Sequence, residues 1–104
     1  MGRIQKKQRT LSMGNFEHVV YILKCKDNTL YTGYTNNLKQ RLTKHREGKG
    51  AKYTRGRGPF EVVFVETYET KQMAMKKEYE IKQLSRTQKL QLIRKQVNNH
   101  ADPK

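Results

Sequence analysis

The sequence predicts an α+β domain: a small three-stranded antiparallel sheet flanked by helices, in the order ββαβαα. Three observations carry that prediction. Two β-rich runs stand on either side of Asp27-Asn28, a third follows at Phe60 to Tyr68, and helical patterns fill the middle and the end of the chain. The 104 residues suit one small domain with a limited core, and no internal repeat or second domain is visible.

The first strand is expected from Glu17 to Cys25 and the second from Leu30 to Thr35. Strand side chains alternate faces, and directly opposed residues of an antiparallel pair share a face. With the turn centred on Asp27, Tyr21 opposes Gly33 and Leu23 opposes Tyr31, so both tyrosines lie on one face as diagonal neighbours. A strict two-residue Asp27-Asn28 turn would part them. We expect the former register, through a three- or five-residue connection containing Lys26-Asp27-Asn28. Cys25, the single cysteine, reads as strand packing, because no Cys/His/Asp constellation surrounds it.

Asn36 or Asn37 then caps a helix running to about Glu47, with Leu38 and Leu42 as an apolar stripe toward the sheet and Gly48 as its stop. The stretch from Gly48 to Pro59 is too rich in glycine for regular structure. Phe60 to Tyr68 alternates Val62/Phe64 with Val63/Val65, and two apolar faces suggest a central or well-covered strand. Thr70 caps a second helix, about Lys71 to Leu84. Ser85-Arg86-Thr87-Gln88 is a capping box opening a third, about Arg86 to Val97, with Leu90 and Ile93 inward. The domain is thus expected over residues 16–97. Residues 1–15 carry Arg3, Lys6, Lys7 and Arg9 without an acid and read as a basic disordered tail or an upstream extension, Met13 being an alternative start; residues 98–104 read as a frayed end.

Lysine and arginine number 23 against nine acids, a net charge of +14 that calls for a polyanion, with nucleic acid the leading class. No apolar run of about 18 residues exists to span a bilayer, and no charged-then-apolar leader stands at the start. A soluble cytoplasmic protein without a membrane partner is expected, and the lone cysteine fits a reducing compartment.

Three groups of residues suit chemistry on a phosphate. Arg41 and His45 stand one helical turn apart, beside the stripe that faces the sheet. A guanidinium there matches two phosphoryl oxygens, whereas Lys39, Lys44 and Arg46 read as general cations. Glu78 interrupts the apolar stripe of Ala74, Ile81 and Leu84. A carboxylate in such a place needs a partner: Arg41, a lysine of this chain, or a divalent metal. Glu80, on the opposite side, reads as solvated. The loop supplies Lys49, Lys52, Arg55 and Arg57 with Tyr53 interleaved, which suits contact with a nucleic-acid backbone, or is simply flexible.

Taken together, these residues resemble the GIY-YIG nuclease family, in particular its small stand-alone bacterial members. The resemblance spans about Val19 to Ile93. Val19-Val20-Tyr21 stands for Gly-Ile-Tyr and Tyr31-Thr32-Gly33 for Tyr-Ile-Gly; Arg41 falls at the helix arginine, His45 one turn on, and Glu78 at the metal-binding glutamate. The run from Gly48 to Gly58 is similar to a signature of the stand-alone subgroup. The resemblance implies metal-dependent hydrolysis of a DNA phosphodiester, with Glu78 holding one Mg2+ or Mn2+. It implies Tyr21 as general base toward the attacking water, Arg41 as the stabiliser of phosphoryl charge, and Tyr31 and His45 as positioning groups. An ordinary tyrosine has a pKa of about 10, so that role for Tyr21 needs positive charge nearby. The sequence departs from the family at Val19 and Val20. It departs again at Tyr34, where some repair nucleases carry a lysine near the scissile phosphate, a role that Lys24 or Lys39 would have to fill, and it lacks a late asparagine. Many relatives also carry a DNA-binding domain, which implies here a separate protein partner for specificity. The rivals are a nucleic-acid-binding module of the same fold with little or no catalysis, holding DNA or RNA, and a ribosome-associated basic protein.

Overall fold

The structure, a computed structural model, describes residues 18–101. The tail expected over residues 1–15, and Glu17 of the first strand, lie outside them. Strands β1 (His18–Lys24) and β2 (Leu30–Thr35) lead into helix α1 (Leu38–Arg46) and, after a single 3-10 turn at Lys52–Thr54, into strand β3 (Glu61–Tyr68) and helices α2 (Lys71–Lys82) and α3 (Arg86–Ala101). The sheet is antiparallel in the order β2-β1-β3. The α+β architecture and the element order are as the sequence predicts.

The hairpin takes the expected register: Tyr21 opposes Gly33 and Leu23 opposes Tyr31. Its connection is the odd one. The Asn28 N–H donates to the Cys25 carbonyl and Cys25 N–H to the Thr29 carbonyl, each at 2.9 Å. Asn28 takes φ +70°, the left-handed residue that completes a three-residue hairpin loop. Asp27 holds the far side, its Oδ1 accepting from the Thr29 N–H and hydroxyl. Cys25 is buried just beyond β1.

The central strand is β1, and Val20, Tyr21, Ile22 and Leu23 are all fully buried. Of the two readings of the third strand, central or well covered, the first is thereby excluded. β3 is an edge strand with a bulge: Ile22 opposes Phe64 but Leu23 opposes Val62, which leaves Val63 as the extra residue. The bulge lets consecutive Val63 and Phe64 both join the core formed with Val20, Ile22, Ala74 and Ile81, so two apolar faces here mark a bulge rather than a central position. The outer edge of β3 is closed by Gln96 of α3, whose amide accepts from the Val65 N–H (3.2 Å) and donates to the Val65 carbonyl (2.8 Å).

Helices α2 and α3 cover one face of the sheet. Their starts follow the sequence: Thr70 Oγ1 accepts from Met73 N–H, and Ser85 and Gln88 exchange the two bonds of a capping box. Leu92 and Ile93, rather than Leu90 and Ile93, pack on the core, and α3 runs to Ala101, past the expected end near Val97. Residues 102–104 lie outside the described residues. On the other side, Asn37 caps α1 through Gln40 N–H. Gly48, at φ +77°, closes its end by a pair of bonds, Gly48 N–H to His45 and Lys49 N–H to Lys44. Leu38 and Leu42 stay half-exposed, and the buried residue of α1 is His45.

Candidate active site

The register puts Tyr21 and Tyr31 on the face that meets α1, with ring centroids 6.3 Å apart. Gly33, opposite Tyr21, is the reason the Tyr21 ring can lie across β2. A Cβ at Gly33 would stand 2.6 Å from the Tyr21 hydroxyl oxygen and 2.9 Å from Tyr31 Cε2. His45 completes the cluster at 5.9 Å from Tyr21 and 5.5 Å from Tyr31, with Phe60 against its far edge.

Hydrogen bonds through this cluster have a definite direction. Thr54 donates its one hydroxyl proton to the Ala51 carbonyl at 2.9 Å, so at 2.9 Å from His45 Nδ1 its Oγ1 must accept. Nδ1 therefore carries the proton. Nε2 of the neutral ring keeps a lone pair and accepts from the Tyr21 hydroxyl at 2.8 Å. Burial, and then the charge of Arg41, hold His45 below the ordinary imidazole pKa, so the ring stays neutral at neutral pH.

The half-buried guanidinium of Arg41 faces the Tyr21 and Tyr31 hydroxyls, an interaction that raises its own pKa. The positive charge that the general-base role of Tyr21 requires is thus present, but it does not prevail. Burial pushes the Tyr21 phenol up to about 12, with Tyr31 and Glu78 adding to the rise and Arg41 opposing it. Tyr21 is a hydroxyl at neutral pH, with its proton directed at His45.

Glu78 lies on α2 between the buried Ala74 and Ile81, and its side chain is only 14 % exposed. Of the three partners the sequence allows, the structure supplies a lysine: Lys82 Nζ stands 3.1 Å from Oε2. Glu80 is exposed, as expected. Among the described residues no group of three or more His, Cys, Asp or Glu gathers to enclose a metal. A single carboxylate still fits Mg2+ or Mn2+, which retain several waters and take further oxygens from substrate phosphates.

Lys39, Lys49, Lys52, Tyr53 and Arg55 are exposed, as a nucleic-acid surface requires. Arg57 differs from the other loop cations. Its Nε donates to the Tyr53 carbonyl, Nη1 pairs with Asp27, the guanidinium lies over the Tyr53 ring, and its own carbonyl accepts from Lys26 N–H. It therefore fastens the loop to the hairpin turn, and Tyr53 stacks on Tyr31 with centroids 5.9 Å apart. Tyr34, which stands where some repair nucleases carry a lysine, meets His18 Nδ1 through its hydroxyl at 2.9 Å. Of the two lysines available for that role, Lys24 is paired with Glu61 at 3.7 Å, while Lys39 is exposed on α1.

Sequence reasoning missed Thr54 and Gly50. Thr54 fixes the tautomer of His45, and a Cβ at Gly50 would collide with the His45 ring. Both stand in an aperiodic loop, where no spacing rule reports a facing. The only signal was the glycine content itself.

Comparison with known proteins identifies the family. A family model described as the GIY-YIG catalytic domain matches residues 17–91. A UPF0213 protein of Oceanobacillus iheyensis is 64% identical over 77 residues, covering 74% of this chain and 90% of the relative. Another, of Clostridium perfringens, is 62% identical over 74 residues, covering 71% and 80%. The solution structure of a UPF0213 protein from Bacillus halodurans superposes with a TM-score of 0.55 at 51% identity, covering 81% of this chain and 89% of that one. A solution structure from E. faecalis gives 0.59 at 36% identity, covering 88% and 94%. With the hairpin tyrosines, the helix arginine and the α2 glutamate in the matched region, this chain belongs to the GIY-YIG nuclease family.

Proposed function

We propose that this protein is a metal-dependent endonuclease that hydrolyses DNA phosphodiester bonds, in repair or processing. The observation that carries the reading is the directed chain from the arginine-faced hydroxyl of Tyr21 through His45 to Thr54, on a domain of strongly positive charge. A phenol held near pKa 12 is a poor free base at neutral pH, but it is a good conduit. As water attacks, its proton passes to the Tyr21 oxygen while the hydroxyl proton of Tyr21 moves to His45 Nε2, and the imidazolium so formed keeps its Nδ1–H on Thr54. Arg41 faces the same oxygen and is placed to bind a phosphoryl group and balance its growing charge. Tyr31 orders the phosphate beside it. Glu78 is the residue that would hold Mg2+ or Mn2+, and such an ion supplies charge neutralisation at the scissile phosphate and leaving oxygen.

The basic surface supports DNA as substrate, with RNA a further possibility, and specificity is left to a protein partner because phosphate contacts read no bases. No helix among the described residues is long and apolar enough to cross a membrane. The buried free thiol of Cys25 fits a reducing cytoplasm. One observation favours the rival, a catalytically weak binding module: Lys82 already pairs with Glu78. Supercoiled, branched and single-stranded DNA incubated with Mg2+ or Mn2+ separates the two. Cleavage lost in Tyr21→Phe, Arg41→Ala and Glu78→Ala supports the nuclease; salt-sensitive binding without cleavage on every substrate supports the module, and cleavage surviving all three substitutions removes the site.

A further inference from the structure

The sheet has two outer edges, and they are finished differently. On β3 the Val65 N–H and carbonyl point outward and are taken by Gln96. Val65 opposes Tyr21 across the β1–β3 pair, so the Tyr21 backbone groups point the other way, toward Gly33 of β2. Alternation then turns the N–H and carbonyl of the neighbouring Thr32, a residue only 3 % exposed, away from β1, to the outer side of β2. Among the described residues no side chain closes that side as Gln96 closes the other.

Along this outer edge runs a cleft of about 300 Å3, lined by Leu30, Tyr31, Thr32, Tyr53, Lys82 and Lys89. Two lysines and two tyrosines are among its lining residues, and no acidic residue is. Thr32 also carries the one buried side-chain oxygen or nitrogen without a hydrogen-bond partner among the described residues. A donor-rich, acid-free cleft selects an anion with several acceptor oxygens. It joins the candidate active site twice, through Tyr31 and through Lys82, which reaches Glu78.

We infer that this cleft seats a second backbone phosphate of the strand being cut, adjacent to the scissile one, with Lys89 as its dedicated charge and Lys82 shared between that phosphate and Glu78. The inference rests on the nuclease reading for the word "cut" and on the cleft alone for the phosphate. The phenols of Tyr31 and Tyr53 form the wall along which the attached sugar lies. A cation on Glu78 and a phosphate in the cleft are then mutually supportive, because the cation displaces the Lys82 ammonium from the carboxylate and the phosphate receives it.

The test is made on the full chain with a chelator present, so that binding is read without cleavage. Fluorescence anisotropy with a short single-stranded oligodeoxynucleotide compares Lys89→Gln with Lys95→Gln, an exposed lysine of the same helix outside the cleft. Lys89→Gln is expected to weaken binding roughly five- to tenfold near 0.1 M salt and to lower the salt slope by about one contact, with Lys95→Gln changing it less than about twofold. Oligonucleotides bearing one methylphosphonate at successive positions then locate the phosphate: at one position neutralisation weakens binding to the parent protein and makes no further difference to Lys89→Gln. Equal effects of the two lysine substitutions, or no such position, overturn the cleft. Cleavage with Mn2+ run in parallel keeps the two proposals apart. A parent that cuts DNA while Lys89 is inert loses only the cleft, and a Lys89-dependent phosphate on a protein that cuts nothing loses only the nuclease.

Discussion

Replacing Thr54 by valine keeps the shape of the side chain and removes the oxygen that accepts from His45 Nδ1–H at 2.9 Å. The ring then has two choices. It can keep its tautomer and bury an unpaired N–H, or move the proton to Nε2, where it confronts the Tyr21 hydroxyl 2.8 Å away and ends that hydroxyl's donation. Either way both hydrogen bonds of the Thr54 hydroxyl are lost, the one from His45 and the one to the Ala51 carbonyl, which still accepts from the Thr54 N–H; the cost is about 2 kcal/mol, which in a domain of this size lowers Tm by about 8–16 °C. The catalytic effect is separate and larger in proportion. Pairing an Nε2–H with the Tyr21 oxygen avoids a buried unpaired N–H, so the second choice is the expected one; with the lone pair of Nε2 gone, Tyr21 has nowhere to send its proton, and the cleavage rate should fall about 100-fold, within the usual range for general acid–base catalysis. Nitrogen-15 NMR of the imidazole reads the tautomer directly, single-turnover cleavage reads the rate, and Thr54→Ser should restore both. A Thr54→Val protein with the parental tautomer and rate, or a serine variant as impaired as the valine, would refute the directed chain.

Other expectations follow from the same geometry. Gly33→Ala forces a methyl against the Tyr21 hydroxyl; it should cost about 1–3 kcal/mol by chemical denaturation and abolish cleavage. Since the folded pKa of His45 lies below its ordinary value, the unfolded chain binds more protons between the two. The His45 contribution is therefore complete above about pH 6.5 and is lost as pH falls toward the folded pKa. Urea midpoints measured on either side of that window should show the decline, and His45→Gln should remove it. Glu78→Gln should change stability by less than about 1 kcal/mol, because the amide keeps the shape and an acceptor at the mostly buried position while the half-exposed Lys82 stays in solvent, yet eliminate Mn2+ binding in calorimetry; retained binding would move the metal elsewhere. Gln96→Leu should leave the fold intact by circular dichroism and increase self-association in sedimentation runs at high salt.

The hairpin was legible because its register obeys parity: a turn centred on Asp27 admits one pairing, and that pairing brings Tyr21, Gly33 and Tyr31 to one face. The helix caps were legible for a similar reason, as Asn37, Thr70 and Ser85 each satisfy a specific orphan amide. Glu78 announced its need for a partner by interrupting an apolar stripe, and Lys82 one turn on provides it. Where the reading failed, a local pattern had two physical solutions. Apolar residues on both faces of β3 are explained by a central strand or by a bulge, and only the pairing with β1 decides. His45 carries the buried side of α1 in place of leucine because its two nitrogens are satisfied by Tyr21 and Thr54, partners from distant segments that no helix period reveals.

The Gln96 clamp on Val65 has no counterpart on the β2 edge among the described residues. An uncovered edge ordinarily invites another copy of the same chain. Here the visitor is sorted by charge. A second protomer brings its own excess of lysine and arginine to the meeting and is repelled over about a Debye length, whereas a phosphate backbone is drawn in. The surplus of cations thus opposes edge-to-edge pairing of two copies and favours an anionic visitor.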